Sequence, residues 1–419
     1  MKASGAVTGH LRIAVLAERW GSASDAGWYA RQVAGALACV ADVHVLTPHS
    51  DSSGTSSDGV FTVHELGFEG YLHALHRRDL LVDALSGPTV SLDASVTSLL
   101  DEEVVSPWEA AVPLLDDLAP DAAVIIGRRS LGAAEALRAA RCPLPYTLVP
   151  ADTAFGPLGT DHFDSVLKGA DSVITATDAE RAGMIASGAE PERVPVIGPH
   201  IAADPSARRE PNSWVGDTGA IVVVTGTPAY DRSRGDEGNE FPSGFSAPTT
   251  ASVRELEDNP RLAHMLRLAH PDPPVAIAAT DGLTVWHRGR ASHGWAVHRA
   301  SDFARLVAWA GMVVDLSPEP FLARRCLTAL AFGTPIVVPA ETVAATHAAA
   351  GGGLWFASAA ELLWTVNAVL DPRVRKDLSD QGRAYAAARY GSTESFIDGV
   401  ARTVLARSCQ PSGSSTVVA

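Results

Sequence analysis

Positive charge is scarce in this sequence. Lys and Arg number 33 against 48 Asp and Glu in 419 residues, a net charge of −15. A nucleic-acid binder would carry a basic stripe or patch, so that function class is set aside. Aromatic residues are few as well, at 6%, which leaves little on which bases could stack. The four cysteines, Cys39, Cys142, Cys326 and Cys409, stand far apart and form no C-x-x-C pair. That spacing argues against a disulfide framework and against a structural zinc site. No uninterrupted apolar run approaches the ~18 residues of a membrane-spanning helix. The first apolar run, Leu11–Ala17, is punctuated by Arg12 and followed at once by Glu18 and Arg19, unlike a secretory leader. A soluble cytoplasmic protein is the resulting expectation.

Several signature motifs are also missing. There is no Walker A sequence, and no G-x-G-x-x-G follows a strand, so ATPase and dinucleotide readings lose their main support. No G-x-S-x-G elbow points to a hydrolase. No D-x-D pair is present to hold a divalent metal against a diphosphate. Five of the 14 histidines, His264, His270, His287, His293 and His298, do gather beside Trp286 and Trp295. Their spacing matches no zinc pattern, so partly exposed histidines around a strand and loop are the plainer reading.

What is present is an apolar fraction of 46% with 19% charged residues, a globular composition with enough material for large cores. The length suits two to three domains. Short apolar runs alternate with longer amphipathic stretches. LRIAVLA, VHVLTP, FTVHEL, AAVIIG, YTLVP, SVITAT and VPVIG read as strands through Gly198, with a helix from Asp25 to Val40 after the first. SDSSGTSSDG (Ser50–Gly59) reads as a polar loop, and Pro, Gly and polar residues over 199–218 as a linker. A second series follows: AIVVVTG, VAIAAT, MVVDLS and PIVVP. Alternation of this kind implies βαβ units and parallel sheets. The low-hydrophobicity stretch over 227–250 is too long for an ordinary connection, and SCQPSGSSTVVA reads as a frayed tail.

Two stretches carry the most information. The first is KGADSVITATDAERAGMIASGAEPERVPVIGPHI (Lys168–Ile201). The second lies between Ala304 and Val404 and holds LVAWAGMVVDLSPEPFLARRCLTALAFGTPIVVPA and DPRVRKDLSDQGRAYAAARYG. Both resemble the family-4 retaining glycosyltransferases of the GT-B fold. TALAFGTPIVV (Thr328–Val338) is the counterpart of that family's "S-x-x-E-x-F-G … E-A-x-A-x-G-T-P-V-V" stretch, which grips a sugar nucleotide. More weakly, LRIAVLAERW and DAGWYARQVAGALA resemble its first strand and helix, with Ala26-Gly27 at the Gly-Gly turn. The segment Thr227–Ala300 matches poorly.

The resemblance implies an α/β protein of GT-B type, with two doubly wound Rossmann-like domains facing a central cleft. The expected boundaries are 1–200 on the acceptor side, 201–388 on the nucleotide-sugar side, 389–406 as a C-terminal helix returning to the first domain, and 407–419 as a flexible tail. It further implies a metal-independent enzyme without a cofactor, moving a sugar from a nucleotide-sugar donor to a small-molecule, glycan or lipid-linked acceptor with retention. A departing nucleoside diphosphate must be met by preorganised donors, and helix N-termini supply them. A helix beginning near Pro320 would offer Phe321, Leu322 and Ala323 as backbone donors. Arg232 or Arg234 would hold the phosphates, Gly27 would let the backbone approach them, and Gly333 and Thr334 would belong to the donor-gripping motif. Counting back from Gly333, the family's ribose glutamate becomes Thr328 and its sugar glutamate falls on Pro320. Glu319, one position away, is then the candidate catalytic carboxylate. Asp152 is the nearest polar group to the histidine that often ends the strand matching YTLVP, where Pro150-Ala151 stand here. Arg128 and Arg129 are either anion contacts or surface charges. These departures keep a second reading open: a catalytically degenerate protein of the same fold with a binding, scaffolding or partner-activating role. A protein partner and a peripheral membrane location stay open with it.

Overall fold

The computed structural model describes residues 11–18, 20, 25–48, 53–68, 106–127, 131–140, 144–151, 166–201, 220–224, 266, 268–269, 275–279, 282–287, 290–294, 300–316, 322–340 and 342–406. The chain divides into two units, Met1–Gly198 with Glu394–Ala419, and Pro199–Thr393. It therefore passes between them twice.

The first unit runs β1 (Arg12–Ala17), α1 (Asp25–Ala38), β2 (Asp42–Thr47), β3 (Ser53–Asp58), β4 (Phe61–Leu66), α2 (Ala111–Leu118), β5 (Ala122–Ile126), α3 (Leu131–Ala139), β6 (Tyr146–Val149), β7 (Ser172–Val173) and α4 (Asp178–Ala186). Its sheet has the order β3-β4-β2-β1-β5-β6-β7. Neighbours are parallel except for the β3–β4 pair. Ile13 to Ala17 and Ala122 to Ile126 are buried throughout, as strands covered on both faces must be, which is why they read as unbroken apolar runs. α4 begins with two reciprocal caps: Thr177 Oγ1 accepts the Glu180 N–H (3.1 Å), and Glu180 Oε2 reaches back past the N-cap to accept the Ala176 N–H (2.6 Å).

One expectation is corrected here. The polar stretch 50–59 is not all loop, because Ser53–Asp58 forms β3, paired with β4 from Ser53↔Leu66 to Asp58↔Phe61. Gly59 (φ 72°) makes the turn between them. β3 is an edge strand whose side chains from Ser53 to Ser57 are exposed; the backbone ladder and a Thr55 Oγ1–His64 Nδ1 contact of 3.2 Å hold it, and no apolar alternation marks it.

The second unit runs β8 (Ala220–Val224), β9 (Val275–Ala279), β10 (Gly282–His287), β11 (Arg290–Gly294), α5 (Ala300–Trp309), β12 (Ala310–Asp315), α6 (Arg324–Phe332), β13 (Ile336–Pro339), α7 (Val343–His347), β14 (Gly353–Phe356), α8 (Ala359–Leu370) and α9 (Pro372–Tyr390). Its sheet order is β11-β10-β9-β8-β12-β13-β14. One face packs against α5, α6 and α9 through Val222, Val313, Leu330 and Ala386, and the other against α8 through Val223, Val314, Leu362 and Val366. Of the histidine cluster, His287 and His293 fall on the β10–β11 hairpin in different rungs, opposite Arg290 and Thr284. His264, His270 and His298 lie outside the described residues, as does the 227–250 segment.

α9 continues past the expected boundary at 388 to the buried Tyr390. The last helix, α10 (Thr393–Leu405), then joins the first unit. Phe396, Val400 and Val404 form its buried stripe at i, i+4, i+8. The Phe396 ring lies 6.3 Å from that of Tyr29 on α1, and the Tyr29 hydroxyl donates to the Ile197 carbonyl at 2.5 Å. Among the described residues no helix is long and apolar enough to cross a membrane. We expect Phe396→Ala to destabilise the first unit by about 3 kcal/mol, through lost burial and a residual cavity. Urea unfolding followed by tryptophan fluorescence measures it.

Candidate functional site

In open parallel sheets ligands bind beyond the carboxyl ends of the strands, where the connections diverge. In the second unit that point lies between β8 and β12, whose ends are held level by the Leu316 N–H donating to Val224 O at 2.9 Å. Asp315 closes β12 and is 4% exposed. Its Oδ2 accepts from the buried Cys326 thiol of α6 at 3.4 Å, which fixes the first turn of that helix against the strand end. In the first unit the equivalent point lies between β1 and β5, where the Glu18 N–H donates to Ile126 O at 3.4 Å. Glu18 is 3% exposed. Beside it Gly127 (φ 133°) and Ala151 (φ 48°) end β5 and β6 in backbone conformations rare for L residues.

The helix expected from Pro320 starts later. α6 begins at Arg324, and the residue before it, Ala323, is left-handed at φ 47°, ψ 47°. The Leu327 N–H donates to Ala323 O at 3.1 Å and closes the first turn. Counted from Gly333, the motif's first glycine falls on Ala323 and its phenylalanine on Leu322, which is fully buried. The left-handed backbone explains why a glycine suits that position. At the other end Gly333 (φ 74°) completes a Schellman cap: its N–H donates to Leu330 O and that of Thr334 to Ala329 O, both at 2.8 Å. A Cβ at Gly333 would lie 2.4 Å from the Arg383 guanidinium of α9, so the position also permits a close approach.

Of the residues singled out from sequence, Leu322, Thr328, Gly333 and Thr334 gather around α6. Thr328 is half-buried, and its hydroxyl donates to Arg324 O one turn back at 2.8 Å. That leaves its oxygen only as an acceptor. Thr334 is buried, with its hydroxyl donating to Val307 O of α5 at 2.6 Å, so it fastens two helices together. Gly27 belongs to the other unit, buried in the first turn of α1. Arg128, Arg129, Asp152, Arg232, Arg234, Glu319, Pro320 and Phe321 lie outside the described residues.

His347, which sequence reasoning missed, touches the start of this motif. Its Nε2 faces Leu322 O at 3.2 Å and its Nδ1 the Tyr385 hydroxyl at 2.9 Å. A carbonyl only accepts, so the proton is assigned to Nε2, and the Tyr385 hydroxyl donates to Nδ1. Tyr385 Oη in turn accepts from the Tyr390 hydroxyl at 3.3 Å. Burial pushes the imidazole down to about 4; the bond to Leu322 opposes that shift and Arg389 adds to it. Nothing in VAATHAAAGGG announces such a residue. Glu18 and Asp315 left a fainter trace, each an acid directly ending a buried apolar run. Among the described residues no group of three or more His, Cys, Asp and Glu side chains could hold a metal ion.

No protein-family model and no curated protein sequence matches the chain. Solved structures do. Sucrose-phosphate synthase from Thermosynechococcus elongatus is 13% identical with a TM-score of 0.59, covering 94% of this chain and 98% of its own. HepE from Anabaena, solved with UDP and glucose, is 15% identical with a TM-score of 0.56, covering 95% and 100%. An α,α-trehalose-phosphate synthase (UDP-forming) from Burkholderia vietnamiensis is 11% identical with a TM-score of 0.62, covering 95% and 99%. The protein has the GT-B fold of these glycosyltransferases.

Two outcomes test the geometry around α6. Ala323→Gly removes the left-handed strain and should stabilise the second unit by about 1 kcal/mol in chemical denaturation. The depressed His347 binds fewer protons when folded than when unfolded, so stability is present above pH 6.5 and falls as pH drops towards 4. The loss should reach about 3 kcal/mol near pH 4, and in His347→Gln the pH dependence over this window should shrink by that amount.

Proposed function

We propose that the protein is a glycosyltransferase that takes a sugar from a nucleotide donor and passes it to an acceptor with retention of configuration, without a metal. The observation that carries this reading is the left-handed turn at Ala323, at the carboxyl end of β12 and the amino end of α6. It stands at the motif's glycine, in the crevice where a sheet of this topology receives its ligand. Helix N–H groups and the positive end of the dipole would meet the charge that develops on the departing diphosphate. UDP and glucose in HepE make UDP-glucose the first donor to examine.

Each residue then has a distinct part. Arg232 or Arg234 would hold the phosphates, and the Leu322–Ala323 backbone would turn towards them. Gly27 would let the α1 backbone approach a bound diphosphate closely. Gly333 and Thr334 act indirectly, by ending α6 and binding it to α5. Thr328 can accept one hydrogen bond from the nucleotide ribose. Glu319 would hold the sugar hydroxyls and Asp152 would face the acceptor. The acceptor would be a small molecule, a glycan or a lipid-linked acceptor.

A specific observation favours a second reading, a fold that binds a nucleotide without turning it over and serves as a scaffold or partner. With Ala323 at the motif's glycine, the sugar glutamate's place falls on Pro320, and the Thr328 proton is spent inside α6. Thermal shifts with UDP, GDP, ADP, dTDP and their sugar conjugates test binding. A millimolar nucleotide of micromolar affinity should stabilise by about 4 kcal/mol; no shift with any of them would sink both readings. Glu319→Ala should abolish release of sugar from the donor that binds, with nucleotide affinity nearly unchanged. Equal turnover in that variant would remove Glu319 from the site, and a wild type that binds but never turns over would leave the scaffold.

A further inference from the structure

The conformation of Ala323 needs a physical cause. A left-handed alanine costs about 1–2 kcal/mol, and no glycine relieves it here. The carbonyl of Leu322 shares a rigid peptide plane with the N–H of Ala323. An anchor on that oxygen holds the peptide plane and, with the Ala323 carbonyl held on the other side by the Leu327 N–H, limits φ at Ala323 and the direction in which the backbone enters α6. The group that fixes it is His347 Nε2–H, in a site where the imidazole is 1% exposed.

The imidazole is itself held at its other nitrogen. Tyr385 and Tyr390, both on α9, continue the hydrogen-bond chain. Their rings stand 5.8 Å apart edge-to-face, and each lies 6.0 Å from the imidazole. α9 comes this close because glycines meet: a Cβ on Gly382 would lie 3.1 Å from Gly352 Cα and 2.9 Å from Leu330 Cδ2. The chain of contacts ends in the segments that join the two units. The Ile201 N–H donates to Tyr390 O at 2.7 Å, and Thr393 Oγ1 meets His200 Nε2 at 3.0 Å. Residues 200–201 follow the first passage of the chain between units, and 390–393 precede the second.

We propose that His347 is a positioning residue for the nucleotide-sugar loop, holding the Leu322 carbonyl and hence the turn at Ala323, with Tyr385 and Tyr390 anchoring it to the joining segments. The inference rests on the donor-site reading above. It assigns His347 no contact with the donor; its effect passes through the backbone.

Two measurements on the full-length protein test it. In hydrogen–deuterium exchange without ligand, His347→Leu should speed exchange in the peptide spanning 322–327 at least tenfold, while peptides from β12 and β13 stay unchanged. His347→Gln keeps an N–H at the Nε2 position and should restore most of the protection. Should His347→Leu fail to fold, Tyr385→Phe removes only the hydroxyl that orients the ring and should loosen the same peptide severalfold. In calorimetric titration with UDP-glucose, or whichever sugar nucleotide the wild type binds, His347→Leu should weaken affinity about tenfold and His347→Gln less than threefold. Unchanged exchange over 322–327, or unchanged affinity in a protein that binds the donor, would overturn this inference alone. A wild type that binds no sugar nucleotide would overturn the donor-site reading together with it.

Discussion

Parallel strands cannot be joined by a tight turn; each connection must cross back over the sheet before the next strand begins. Both sheets are built chiefly on that constraint, and the place of α6 at a strand end follows from it. Where crossovers leave a central strand pair in opposite directions, they uncover the carboxyl ends of those two strands. In the first unit the pair is β1 and β5, with Glu18 at the opening; in the second it is β8 and β12, with Asp315. The two units repeat one solution to the same topological problem. They differ in what the following segment does with the space.

In the second unit that segment bends left-handed at Ala323 before it becomes helix. Strained backbone persists only where its surroundings over-determine it, and here the surroundings are specific. A neutral buried imidazole fixes the preceding carbonyl, a thiol–carboxylate bond holds the first turn, and a Schellman cap with an interhelical threonine bond fixes the end. A helix so tightly bounded at both ends presents its amino terminus in one direction. That rigidity is what electrostatic stabilisation of a leaving group demands, because donors must already face the place where charge will develop.

Much of this was legible from sequence, for an identifiable reason. Strands buried on both faces appear as continuous apolar runs, and β1, β5, β8, β12 and β13 did so. β3 did not, since an exposed edge strand of Ser, Gly and Thr carries no apolar signal. The start of α6 carries no sequence signal, because Ala323 supplies no capping side chain and Pro320 is the nearest residue typical of a helix start. Gly333 was readable from the Gly-Thr-Pro motif, whereas the fates of the Thr328 and Thr334 hydroxyls depend on carbonyls one turn back or on another helix. His347 was the least legible: its role comes wholly from tertiary contacts among Ala- and Gly-rich segments. The net charge of −15 argues against nucleic acid, and in the proposed function it requires that positive potential be concentrated where a diphosphate binds.

In the proposed function the turn at Ala323 and the amino end of α6 receive a nucleoside diphosphate. A crystal structure of the full chain grown with UDP tests it most directly. Diphosphate oxygens are expected within about 3.2 Å of backbone N–H groups between Leu322 and Arg325. UDP bound elsewhere in the protein, with this turn vacant, would contradict it.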